Sequence, residues 1–151
     1  MTQGRDLPQK LSSLLKGQML GVLSTCGRRQ PYASLVAFAV THDLRHIVFV
    51  TSRRTRKYAN LAANAKIAML IDNRSGRASD FRKAMVVTAV GTVQEVRKTR
   101  NSRLIRIYLD KHIQLRDFLW SSTSAVLDIR VETYSVVERF QQVTLLRMDE
   151  F

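Results

Sequence analysis

Between His46 and Ile71 the chain reads HIVFVTSRRTRKYANLAANAKIAMLI, and this run restricts the possible folds more than any other. His46 to Thr51 is β-branched and aromatic, the composition of a strand that fills a core. Thr55 offers a hydroxyl to an orphan backbone N–H, as a helix N-cap does. Tyr58, Leu61, Ala62 and Ala65 then fall at i, i+3, i+4 and i+7, a spacing that predicts a helix with one apolar face. Lys66 to Ile71 returns to strand character. The charge at the junction has no place in a purely structural element. Arg53, Arg54, Arg56 and Lys57 crowd the helix start, where the macrodipole is already positive and cations are disfavoured. Free N–H groups, hydroxyls and four cations together suit an anion, phosphate above all. A basic, solvated turn is the competing reading of the same residues.

The flanking segments extend the pattern. Leu7 to Lys16 reads as a short helix with Leu7, Leu11, Leu14 and Leu15 on one face and Pro8 in its first turn. Gln18–Thr25, Pro31–Thr41 and His46–Thr51 are three strands joined by the polar turns Cys26–Gln30 and His42–Arg45, a meander that implies antiparallel pairing. A polar loop centred on Ser75-Gly76 leads to a strand over Met85–Val96, with Gly91 at a bulge or close approach. Lys98–Leu109 has helical spacing, with Leu104, Ile105, Tyr108 and Leu109 on one side. Ser121–Phe140 begins a final long strand or hairpin in which Leu127, Ile129 and Val131 alternate with Asp128, Arg130 and Glu132, a half-buried pattern. In the second strand, Tyr32, Val36, Phe38 and Val40 alternate with Ala33, Leu35, Ala37 and Ala39, so both faces are apolar. A sheet whose inner face fills a barrel then needs cover outside, and a second copy in an isologous two-fold dimer is the simplest cover.

At 151 residues the chain suits one domain, residues 1–151, able to bury a core without staples. Cys26 is the only cysteine, which excludes an internal disulfide and a cysteine metal cage. The opening MTQGRDLPQK has no apolar stretch, and no run approaches membrane-spanning length, so the expected setting is cytoplasmic and off the membrane. A net charge of +13 raises the prior for anionic partners, but the cations are spread from Arg5 to Arg147. No metal site is expected: His42 and His46 straddle a turn and a strand, and His112 is remote in sequence. The six glycines build no GxGxxG or P-loop, and no nucleophile or carboxylate pair stands out.

Phe49-Val50-Thr51-Ser52, Thr55-Arg56-Lys57 and Leu61-Ala62-Ala63-Asn64, with PYASLVAFAVT before them, resemble the flavin-phosphate segment of the pyridoxamine phosphate oxidase-like, FMN-binding split-barrel family. The resemblance implies a mainly β fold, a six- to seven-stranded antiparallel split β-barrel with a few peripheral helices. It implies FMN as cofactor, held at the interface of a homodimer, and oxidoreductase chemistry on a small-molecule redox substrate. Arg56 and Lys57 would neutralise the phosphate, with Thr51 and Ser52 as donors; Ser34 and Val36 match positions that meet the flavin ring. A flavin carries the redox chemistry itself, which suits a chain with no other catalytic set.

Two departures from that family concern the substrate. Ala84-Met85-Val86-Val87 is apolar where authentic oxidases carry an Arg-Gln pair, and the chain ends RMDEF with its only tryptophan at Trp120. Vitamin B6 oxidation is therefore not expected. The same barrel binding deazaflavin or haem is one alternative. Another is nucleic-acid binding through RKTRNSRLIR, Arg97 to Arg106, disfavoured by the absence of a known nucleic-acid motif and by aromatics of only 7%.

Overall fold

The computed structural model describes residues 3–151, with side chains from residue 6 onward; the first two residues of the opening decapeptide lie outside the described residues. In chain order the elements are α1 (Gln3–Gly17), β1 (Leu20–Gly27), β2 (Gln30–Val40), β3 (His46–Ser52), α2 (Arg56–Ala63), β4 (Lys66–Asp72), α3 (Asp80–Lys83), β5 (Val86–Val96), α4 (Arg103–Lys111), α5 (Arg116–Trp120), β6 (Ser124–Glu138) and β7 (Gln142–Arg147). The sheet runs β3-β2-β1-β4-β5-β6-β7, every neighbour antiparallel, and β3 also pairs with β6. That last pairing closes six strands into a barrel and leaves β7 outside, hydrogen-bonded to β6 alone. The split-barrel expectation holds.

Two of the barrel's ladders are short: β1 meets β4 only from Val22↔Leu70 to Ser24↔Ala68, and the β2–β3 seam is equally brief. β2 pairs with β3 at only three positions, Phe38↔Phe49, Ala39↔Val48 and Val40↔Ile47. Beyond Phe38, β2 stays with β1 down to Gln30, while β3 stays with β6 as far as Ser52↔Ser124. Continuing the register would set Val36 against Thr51. Instead the two strands part and leave a lip on each side. Between β5 and β6 lies the bulge that Gly91 predicts: the register slips between Val90 and Gly91, and a Cβ on Gly91 would lie 2.2 Å from the Arg130 carbonyl oxygen.

Period-2 alternation sorts the strand side chains. Leu23, Phe38, Ile47, Phe49, Met69, Val87, Leu127, Ile129 and Tyr134 fill the barrel, and Leu7, Leu11, Leu14 and Leu15 of α1 join the same core. The helix begins at Gln3, ahead of the leucine pattern, so Pro8 lies one turn in rather than in the first turn. A second core lies outside the barrel, where Ile105 and Tyr108 of α4 and Leu119 of α5 cover Ala39, Val48, Val50 and Val126. The outer faces of β1, β2 and β5 keep Leu20, Leu35 and Val90 exposed.

Three local expectations need correction. Helix α4 starts at Arg103, because the Ser102 hydroxyl caps it by accepting from the Ile105 N–H; Arg97 and Arg100 therefore precede the helix. The loop around Ser75-Gly76 ends in the short α3, whose Asp80 carboxylate accepts from the Ser75, Gly76 and Arg77 N–H groups and the Ser75 hydroxyl; these bonds hold it below its usual pKa. Asp128, expected on a half-exposed face, is buried: His46 Nδ1 lies 3.0 Å from its carboxylate, and Gln94 Nε2 donates to it at 3.4 Å. Helix α5 carries too few residues for its periodicity to be read.

Candidate functional site

The β3–α2 corner forms as its sequence suggests. Thr55, in extended backbone, caps α2 by accepting from the Tyr58 N–H, and its own hydroxyl donates to the Ser52 carbonyl at 2.8 Å. Thr51 faces inward and is buried; its hydroxyl lies 3.1 Å from that of Thr55 and accepts from Lys57 Nζ at 3.2 Å. Ser52 faces the other way, and its hydroxyl accepts the Arg54 N–H. The helix itself is clamped to β1. Asn60 donates to the Thr25 hydroxyl, and a Cβ on Gly27 would lie 2.2 Å from Asn60 Oδ1, so a side chain at position 27 would push the Asn60 amide out of this bond.

The four cations separate into distinct roles. Arg53 is structural: its guanidinium donates to the Ser122 and Ser124 carbonyls and pairs with Glu95 at 3.4 Å, while Glu95 also accepts from the Tyr58 hydroxyl. Arg54 and Arg56 are exposed, and the Arg56 guanidinium lies 5.4 Å from the centre of the Tyr32 ring, bridging from α2 to the β2 lip. Lys57 is half-buried, and desolvation lowers its pKa from the ordinary lysine value. An ammonium in that condition gains from an incoming anion, which restores the charge compensation that water no longer supplies.

Across the seam, Tyr32, Ser34 and Val36 share one face of β2. Val36 packs into the barrel core, opposite Gly21 in the ladder. Ser34 is different: its hydroxyl is buried and has no hydrogen-bond partner among the described residues. Buried hydroxyls are rarely left so. All six residues singled out in the sequence thus stand on the two lips of the opening, Ser34 and Val36 on one, Thr51 and Ser52 on the other, Arg56 and Lys57 at the helix start beside it. Tyr32 and the Asn60–Gly27 clamp join them unforeseen. The sequence places Gly27 inside the Cys26–Gln30 turn, whereas it ends β1, and nothing in the sequence ties it to Asn60.

The donor set fits a flavin phosphate. A phosphate dianion would meet two cations and a helix start there, and the facing strand carries a buried hydroxyl without a partner among the described residues. The imidazoles serve elsewhere. His46, at the far end of β3, is engaged by Asp128, and His112 is buried beneath α4, where Nε2 donates to the Phe38 carbonyl at 2.7 Å and desolvation lowers its pKa.

Comparison with known proteins agrees with this fold. A haem-binding protein from Mycobacterium smegmatis superposes with a TM-score of 0.82 at 17% identity, over 94% of this chain and 58% of that one. This chain thus spans little more than half of that protein. General Stress Protein 26 from Bacillus anthracis gives a TM-score of 0.69 at 20% identity, over 94% and 98% of the two chains. An FAD-binding protein from Mesorhizobium loti gives 0.67 at 19% identity, over 85% and 90%. At such identities the likeness is one of fold. No curated protein sequence matches the chain. Residues 7–138 match the family described as pyridoxamine 5'-phosphate oxidase, and with most of its length inside that match the chain belongs to this family.

Proposed function

We propose that the protein is an FMN-binding oxidoreductase that works as a homodimer, with the flavin seated at the β2–β3 seam where two subunits meet. The observation that carries this reading is the seam itself, cationic on one lip and bearing an unpartnered hydroxyl on the other. Arg56 and Lys57 hold the phosphate through charge-assisted hydrogen bonds, Thr51 and Ser52 add donors, and Tyr32, Ser34 and Val36 line the side towards the ring. When bound, FMN supplies hydride or electron transfer. The chain's own part is to fix the phosphate, orient the ring and exclude water. The exposed wall of Leu20, Leu35 and Val90 supports the dimer, because a patch of this kind on a barrel normally meets another chain. Flavin is favoured over haem by the cationic corner and by the engagement of His46 and His112 elsewhere.

The visible spectrum of the purified protein tests the reading. Flavin peaks that persist through gel filtration and release FMN on denaturation are expected. Arg56→Ala with Lys57→Ala should weaken FMN retention at least tenfold, because hydrogen bonds to charged groups contribute about 1.5–3 kcal/mol each. An unchanged affinity in that double variant removes the anchor.

A further inference from the structure

A second cationic site lies on another wall of the barrel. Arg100, Arg106 and Arg116 line a groove of about 610 Å³ between α4 and α5, with Ile105, Leu109, Ile113, Trp120 and Asp110 as the rest of its lining. Arg106 and Asp110 lie one turn apart on α4, and Arg116 and Trp120 one turn apart on α5, so each helix presents one stripe to the groove. None of the three guanidiniums has an ion-pair or hydrogen-bond partner among the described residues, unlike Arg53, which has three. Three such groups converging on one groove against a single carboxylate repel each other, and an anion relieves that repulsion.

The lining selects among anions. Arginine's planar fork matches phosphate oxygens two at a time. Trp120 is 37% exposed and Ile113 63%, so the groove also offers an apolar, flat-sided wall to water. Inorganic phosphate makes no use of that wall, and an acidic peptide brings charge without a flat ring to lay on the indole. A nucleotide brings both, since every base presents a π face that stacks on aromatic side chains. Asp110 is an acceptor for a base amino group or a ribose hydroxyl. We propose that the α4–α5 groove binds a nucleotide, its base against Trp120 and its phosphate held by Arg100, Arg106 and Arg116. The site is separate from the flavin corner and does not depend on it.

Trp120 is the only tryptophan in the chain, so emission excited selectively at tryptophan, past the tyrosine absorption band, reports on this groove. Adenosine diphosphate titrated into the full-length protein should quench that emission saturably, and inorganic phosphate at equal concentration should not. Arg106→Ala with Arg116→Ala should weaken the apparent affinity by about tenfold or more. Arg100→Ala, which lies outside both helices, should weaken it in the same direction, while circular dichroism stays native in both variants. Arg56→Ala with Lys57→Ala should leave the titration unchanged. The proposal is overturned by the absence of saturable quenching at millimolar nucleotide, by equal quenching with phosphate, or by affinity that survives the arginine variants or falls with Arg56 and Lys57. An oligodeoxyadenylate of about ten nucleotides identifies the source of the ligand. Tighter binding with a steep salt dependence assigns the groove to a strand, and binding no tighter than the diphosphate assigns it to a free nucleotide; either result supports the site.

Discussion

The barrel has two apolar outer walls, and they meet different fates. On one, Val48, Val50 and Val126 lie beneath Ile105, Tyr108 and Leu119 of the segment inserted between β5 and β6. On the other, Leu20, Leu35 and Val90 of β1, β2 and β5 stay exposed, with no helix of the described residues laid over them. Both walls place aliphatic side chains at outward-facing strand positions, so their chemistry is similar. What differs is whether the chain spends residues on a lid. Where it does, the wall contributes to folding; where it does not, the same surface is available for association.

Breaking the covered wall should have the largest effect. Leu119→Ala removes a fully buried side chain from the second core and should lower unfolding stability by about 2–5 kcal/mol, read from urea curves with an unchanged m-value. A loss below about 0.5 kcal/mol would mean that α5 merely rests on the barrel. The open wall should respond in mass, not in fold. Leu20→Glu with Leu35→Glu should halve the mass seen by light scattering, while the circular dichroism of the barrel stays intact. A mass that does not change removes this wall as the interface.

A smaller effect tests how the lid is tethered. Lys111, at the end of α4, donates to the Leu15 carbonyl at 3.0 Å and to the Gln18 carbonyl at 2.6 Å, and burial pushes its pKa down to about 8. The unfolded chain keeps this lysine protonated up to about 10.4. Between those values the unfolded state binds the extra proton, so stability attributable to Lys111 rises with pH across the window, and the penalty of the buried charge is full below it. Neutral Lys111 still donates to both carbonyls. Urea unfolding at about pH 7 and about pH 10 should therefore show a more positive slope in the wild type than in Lys111→Met. Parallel slopes would show that water still reaches the ammonium.

Legibility in the sequence followed the range of the interactions. The His46–Ser52 strand, the Thr55 cap, the Lys66 strand and the Gly91 bulge are all written in neighbouring residues, and the structure bears them out. The role of Arg53 was hidden because its partners, the carbonyls of Ser122 and Ser124, are brought in by β6 from the far end of the chain. Asp128 was misread for the same reason: alternation assigns it to a wet face, but His46 meets it from another strand and α4 and α5 cover that wall. The apolar spacing over Lys98–Leu109 marks the face of α4 but not its first residue, which one serine decides. In the candidate site, the cations can be read along the chain; the parting of β2 and β3 beside them cannot, since it arises where two strands stop pairing.

That gap has a mechanical meaning. Only three rungs join β2 to β3, while both strands stay laced on their other sides, β2 to β1 and β3 to β6. A rigid, flat guest at that seam would not have to break β2–β3 pairing beyond Phe38↔Phe49. The backbone there has already forgone its own ladder, so admission requires little further sacrifice.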